Sequence, residues 1–178
     1  MEKRFIIRNT KWEDFHDLVR NFYSYYDEVK KDPTFTLTLM EKKPTLQEEA
    51  VWFASVYKSI LDKERIMLVA EVDGKVVGAC EVSRGGSQQG HVGILGIAVK
   101  KEYRSMGVGQ ALIKGILKKS EKKFEIVVLQ VFAKNSRAKH VYEKLGFKMY
   151  ATLKNGIKRN GKYFDEQEMY INLKKFKK

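Results

Sequence analysis

"IAVKKEYRSMGVGQALI" (residues 97–113) sets two glycines, Gly107 and Gly109, between a polar loop and an amphipathic run, with Arg104 just upstream. To its left, "HVGILGIAV" (91–99) reads as an apolar strand. To its right, Val108, Leu112, Ile113, Ile116 and Leu117 recur at i, i+4, i+5 with Lys114 and Lys118 opposite, the pattern of a one-sided helix. A P-loop needs Gly-Lys-Ser/Thr, but Gln110-Ala111 follows Gly109. A dinucleotide fingerprint needs a third Gly or Ala and a turn straight off the strand. Here Leu112 holds that offset, and "KKEYRSM" separates Val99 from Gly107. What remains is Arg-x-x-Gly-x-Gly opening a helix. Free N–H groups at the positive end of a helix favour an anion, and glycines let a pyrophosphate come close. A tight turn beside a surface arginine fits the same residues, so both readings stand at this point.

Outward from this centre the pattern is mixed. "RFIIR" (4–8) reads as a first strand, and "WEDFHDLVRNFYSYY" (12–26) as a helix that gives way over "DEVKKDP" to a break at Pro33. "PTLQEEAVWFASVYKSIL" (44–61) starts a helix with Pro44, Thr45 as N-cap and Glu48 completing a capping box. "IMLVAEV" (66–72) and "KVVGACEV" (75–82) form a hairpin around Asp73-Gly74. After the loop "GGSQQG" (85–90), the glycines of strand 91–99 are expected to mark a bulge. "FEIVVLQVF" (124–132) reads as a strand buried on both faces. "NSRAKHVYEKLGF" (135–147) is a helix with Gly146 as its C-cap. "FKMYATL" (147–153) and "YFDEQEMYINL" (163–173) are strands flanking the loop "KNGIKRNGK" (154–162). The order β, helices, β-β-β-α-β-α-β-β predicts a mixed α/β sheet with helices on its faces.

The 178 residues, 43% hydrophobic with two prolines and no linker or repeat, fit a single domain over 1–178. Three consecutive apolar residues in "MEKRFIIRNT" fall short of a signal-peptide core, and nothing approaches a membrane span. The one cysteine, Cys80, lies in an apolar run, which fits a buried thiol and a cytoplasmic setting. With three scattered histidines there is no metal-ligand spacing. The net charge of +13 invites an anionic partner: nucleic acid, an acidic surface or a polyphosphate. The lysines are dispersed, however, and solvated faces account for most of them.

"IAVKKEYRSMGVGQALI" followed by "LQVFAKNSRAKHVYEKLGF" (129–147) resembles the two central motifs of the GCN5-related N-acetyltransferase (GNAT) superfamily. The hydrophobic-x-Val strand end, the Arg-x-x-Gly-x-Gly loop, and Asn135 then Tyr142 seven residues on stand in the family's order. The match runs from about Ile66 to Leu173, with residues 1–65 fitting in outline. The resemblance implies the GNAT fold: an α/β domain with a mixed, mostly antiparallel sheet of six to seven strands, helices on both faces, and a splay at the central strands. It implies acetyl-CoA as co-substrate and no metal, with Arg104, Ser105, Met106, Gly107, Val108, Gly109 and Gln110 around the diphosphate. The pantetheine would run along Ile97, Ala98 and Val99, where a backbone N–H would face the thioester carbonyl. Asn135 matches a position that hydrogen-bonds the pantetheine, and it suits a helix N-cap equally well.

Two proton problems follow from such a transfer. The leaving thiolate is helped by a donor, and Tyr142 matches the family's donor position, although it also lies on an apolar helix stripe. An acceptor amine must lose a proton. Histone-acetylating members carry a glutamate at the place held here by Gly93, so His91, on the same side by strand alternation, and Glu81, on the preceding strand, are the candidate bases beside a water relay. Acceptor choice would fall to "RNFYSYYDEV" (20–29), with Asp27 and Glu28, and to the last hairpin, with Asp165, Glu166 and Glu168. Aromatics with carboxylates suit a cationic amine, while core packing with a solvated face explains them too. The expected activity is direct acetyl transfer to a primary amine: a protein N-terminus, a polyamine or another small amine. The rival reading is a non-catalytic module binding CoA or nucleic acid, and a longer acyl chain stays open. Neither a membrane nor nucleic acid is the expected partner, and the chain leaves room for a homodimer.

Overall fold

A short strand, β1 (Ile6–Asn9), opens the chain described by the computed structural model, which covers residues 4–31 and 42–175. A single 3₁₀ turn at Trp12–Asp14 leads into α1 (Phe15–Lys31). The helix runs on through "DEVKK" instead of fading there, because Glu28 is gripped from outside by Arg104 and Lys30 and Lys31 suit a helix C-terminus. Pro33 lies outside the described residues. Next, α2 (Leu46–Leu61) begins on the expected capping box: Thr45 Oγ1 accepts from the Glu48 amide, and the Glu48 carboxylate accepts from the Thr45 amide.

Strands β2 (Arg65–Val72) and β3 (Lys75–Arg84) meet at Asp73 and Gly74, both at positive φ, 50° and 74°. That is the backbone a two-residue hairpin needs. β4 (Val92–Val99), α3 (Val108–Ser120), β5 (Ile126–Phe132), α4 (Ser136–Lys144), β6 (Lys148–Arg159) and β7 (Lys162–Asn172) complete the order. The seven strands form one sheet, β1-β2-β3-β4-β5-β7-β6, antiparallel throughout except at its centre. There β4 and β5 run parallel and share only three rungs, Val92↔Ile126, Gly93↔Val127 and Ile94↔Val128. Past Ile94 the two strands part.

Strand alternation divides the core in two. Leu68, Cys80, Val82 and Leu95 point to the face covered by α3, where they join Leu112, Ile116, Phe124 and Met169; Tyr142 of α4 and Leu145 at its C-cap enter the same cluster. Met67, Val69 and Ala79 point the other way, beneath α1 and α2, whose Tyr25, Phe53 and Val56 are buried.

Three sequence expectations change. The β4 glycines mark no bulge, since β3 and β4 pair in unbroken register. A Cβ at Gly93 would instead collide with Val82 and press on Phe124. The sheet's irregularity lies at Ala70/Glu71 on β2. β5 is not buried on both faces: Val127, Leu129 and Val131 are buried, while Gln130 is exposed because that face fronts the opening beside β4. Finally, most of the expected loop 154–162 is strand. Asn160-Gly161 makes the turn, and Asn155, at φ 56°, sits in an irregularity between Leu153 and Ile157.

Candidate active site

The loop between β4 and α3 is shaped by two residues at positive φ, Ser105 (62°) and Gly107 (79°). Gly107 is the N-cap of α3, and a Cβ there would meet nothing within 4 Å, so conformation and not space selects glycine. Among the described residues no acceptor meets the amides of Ser105, Met106 or Gly107. Helix geometry leaves those of Val108, Gly109 and Gln110 open as well. The loop thus presents a run of unmet donors at the positive end of a 13-residue helix. The Arg104 side chain is turned elsewhere: its guanidinium grips Glu28 on α1 and donates to the Val99 carbonyl.

The cleft between the parted halves of β4 and β5 opens beside this loop. Ile97 and Val99 face the α3 side and Ala98 the α1 side, so the three expected cofactor-strand residues all border the opening. Tyr142 enters from the α4 side. It is 8% exposed, packs against Phe147 with ring centroids 5.8 Å apart, and its hydroxyl is pushed far above the usual tyrosine range by burial, with Cys80 adding a smaller push. Such a phenol keeps its proton at neutral pH. Burial likewise drives the Cys80 thiol well up, which removes it as a nucleophile. Asn135 caps α4, its Oδ1 accepting from the Ala138 amide at 3.0 Å; its two amide hydrogens take no part in the cap.

The candidate bases separate. His91 is exposed and lies ahead of β4 at the closed end of the β4–β5 pair, its carbonyl accepting from the Glu125 and Ile126 amides. Eight residue steps of extended chain, about 26 Å, separate it from Val99. Glu81 pairs across to Gly96 on β4, and its Oε1 would stand 3.6 Å from a Cβ there, an ordinary contact, so the carboxylate lies over that glycine. Its Oε2 accepts from Arg65. The opposite lip carries Glu168, which accepts from Gln130 and Tyr150, and Tyr150 stacks edge-on against Tyr170. Hydrogen bonding to Glu168 raises the Tyr150 phenol to about 12. Asp165 is spent inside the hairpin on Lys154 and the Asn155 amide.

Behind β4 lies a cavity of about 680 Å³, walled by Phe22 and Tyr25 of α1 and Trp52 of α2 and floored by Met67, Ala79 and Ala98. Among the described residues no group of His, Cys, Asp and Glu could hold a metal, and no helix is long and apolar enough to cross a membrane.

The sequence pattern of the acetyltransferase (GNAT) family matches residues 12–147. The chain belongs to this family. Its seven-stranded mixed sheet with four helices is the GNAT fold. Over 121 residues this GNAT chain is 35% identical to the N-alpha-acetyltransferase of Sulfurisphaera tokodaii, covering 61% of its own length and 68% of that protein's. Over 105 residues it is 33% identical to the L-amino acid N-acetyltransferase AaaT of Escherichia coli, covering 57% and 65%. The chain therefore spans about two thirds of the length of these curated relatives. The GNAT superfamily phosphinothricin acetyltransferase of Sinorhizobium meliloti, solved in complex with acetyl-CoA, superposes with a TM-score of 0.80 at 18% identity, covering 97% of this chain and 89% of that one. The sequence reading left the role of one carboxylate here open and did not single out another. Glu28, in a segment that fitted either acceptor choice or packing with a solvated face, is the partner of Arg104. Glu49 was passed over, although its spacing from Phe53 and Val56 is the inward stripe of a helix.

Proposed function

We propose that this GNAT protein is an acetyl-CoA-dependent N-acetyltransferase that transfers the acetyl group directly to a primary amine. The observation that carries the reading is the three-rung β4–β5 pair, which opens beside a loop of unmet amides. The residues present fit acetyl-CoA. The amides of Ser105 to Gln110 would hold its diphosphate, and the free edge of β4 at Ile97, Ala98 and Val99 would pair with its pantetheine amides. The amide hydrogens of Asn135 are available to the same arm. When bound, acetyl-CoA supplies an activated acetyl thioester.

Tyr142 Oη holds a proton that burial keeps in place, ready for a departing sulfur. Glu81, with one oxygen on Arg65 and the other over Gly96, is the base directed at the acceptor side of β4, directly or through a water. The inert Cys80 thiol supports direct transfer over a covalent acetyl-enzyme. Both relatives are named for N-acetylation, which supports nitrogen as the accepting atom.

The test is thiol release from acetyl-CoA against amino acids, small amines and peptides with free N-termini, with thermal shift run alongside. Turnover with one class is the expected result. A thermal shift without turnover would convert the enzyme into a CoA-binding module, and the absence of both would overturn the reading.

A further inference from the structure

The inward stripe of α2 consists of Glu49, Phe53 and Val56, which are 3%, 1% and 3% exposed. The last two pack as an apolar face should. Glu49 puts a carboxyl where a hydrophobic side chain belongs. Among the described residues no ion pair or side-chain hydrogen bond answers it, whereas its neighbour Glu48 is exposed and spent on Thr45. A buried carboxylate is costly unless a cation or donor meets it, and burial, with Glu48 adding, already holds this carboxyl above the usual range. Local conflicts of this kind gather at functional sites.

Glu49 lines the same 680 Å³ cavity that has Ala98 in its floor. Ala98 belongs to the parted half of β4, so the cavity reaches from the buried carboxyl to the strand where the acetyl group is expected. Between the two ends the walls are Phe22, Tyr25 and Trp52, aromatic faces that suit both methylenes and a cation. Lys42 and Lys43 also line the cavity but do not pair with Glu49: Lys43 Nζ stands 4.0 Å from the centroid of the Tyr23 ring, and Lys42 acts on Glu48.

We propose that Glu49 receives a second cationic nitrogen of the acceptor, so that the preferred acceptor is an amine carrying an ammonium or guanidinium a few methylenes from the attacking nitrogen. The inference rests on the N-acetyltransferase reading and narrows it. The chemistry is shared by a free diamine and by a peptide whose first residue has a cationic side chain. It disfavours acceptors that end in a carboxylate, because two carboxylates would then face each other in an apolar cavity.

The experiment compares kcat/KM for 1,5-diaminopentane, pentylamine and 6-aminohexanoate in the wild type and in Glu49→Gln. The wild type should prefer the diamine, and the variant should lose that preference by about thirtyfold or more, the usual weight of a buried charge contact. A ratio between acceptors does not depend on how much of the variant is folded. An unchanged ratio overturns the proposal. Peptides beginning with lysine or norleucine form a parallel pair, and whichever pair shows the larger Glu49-dependent ratio identifies the source. Calorimetry of diaminopentane with CoA-saturated protein separates this inference from the reading beneath it. If no amine is turned over but the wild type binds the diamine more tightly than Glu49→Gln, transfer fails and the Glu49 site stands. Equal binding sinks the site.

Discussion

Arg104 and Glu28 are joined by two parallel hydrogen bonds, Nη1 to Oε1 at 2.5 Å and Nη2 to Oε2 at 2.7 Å, while Nε of the same arginine donates to the Val99 carbonyl at 2.8 Å. One side chain thereby fastens α1 to the end of β4 and to the glycine loop. The arginine of the motif serves here as an architectural tie, and among the described residues the amides of Ser105, Met106 and Gly107 meet no acceptor.

Glu28→Gln keeps the shape and removes one charge from a pair whose side chains are 20% and 16% exposed. The expected cost is about 1–3 kcal/mol, a fall in Tm of about 2–4 °C for each kcal/mol in a domain of this size. KM for acetyl-CoA should rise as the loop loosens. Scanning calorimetry at low salt is the check; an unshifted Tm would mean that water screens the pair.

At Gly107 the demand is conformational. Gly107→Ala places its Cβ in open space but at φ 79°, so about 1–2 kcal/mol of backbone strain is expected. Gly107→Glu adds a carboxylate where phosphate should sit. Calorimetric titration with CoA should show weaker binding for the first and none for the second. Equal affinities in all three proteins would remove the loop from the site.

Tyr142→Phe deletes a hydroxyl and keeps the ring packed on Phe147. If the phenol is the proton donor, kcat should fall about a hundredfold or more with little change in acetyl-CoA affinity. Single-turnover kinetics beside equilibrium binding separates the two quantities. An unaltered kcat returns Tyr142 to the core.

Glu49 also makes a prediction about stability. Its carboxyl titrates above the ordinary value of 4.5 in the fold, so as pH climbs from that value the unfolded chain releases a proton that the folded chain retains. The folded state binds more protons across this window, and stability falls as pH rises through it. Glu49→Gln removes the effect, so without acceptor the variant should gain on the wild type between pH 4 and pH 7. Urea unfolding at the two pH values measures this; a constant difference would contradict the burial of the charge.

What the sequence made legible was whatever one segment decides alone. The Thr45–Glu48 box, the Asp73-Gly74 turn, the Gly107 cap and the Asn135 cap all rest on residues within four of one another. Competition between equal local signals was harder. Asn155-Gly156 and Asn160-Gly161 look alike, and only pairing with β7 makes the second the turn and the first an irregularity. Partners far apart in the chain left no local trace: Glu28 lies 76 residues from Arg104. The remoteness of His91 from the opening depended on where β4 and β5 stop pairing, which neither strand encodes by itself.

Three rungs at the centre of a seven-stranded sheet also have a mechanical meaning. β1 to β4 form one plate and β5 to β7 another, and those three rungs are the strand pairing along the line between them. A bound arm pairing with the lip of β4 would stitch that line from Leu95 to Val99. Amide hydrogen exchange along the lip should slow when the stitch is in place, and the two plates should then resist unfolding as a single body. An arm bound there would repair the same flaw that admits it.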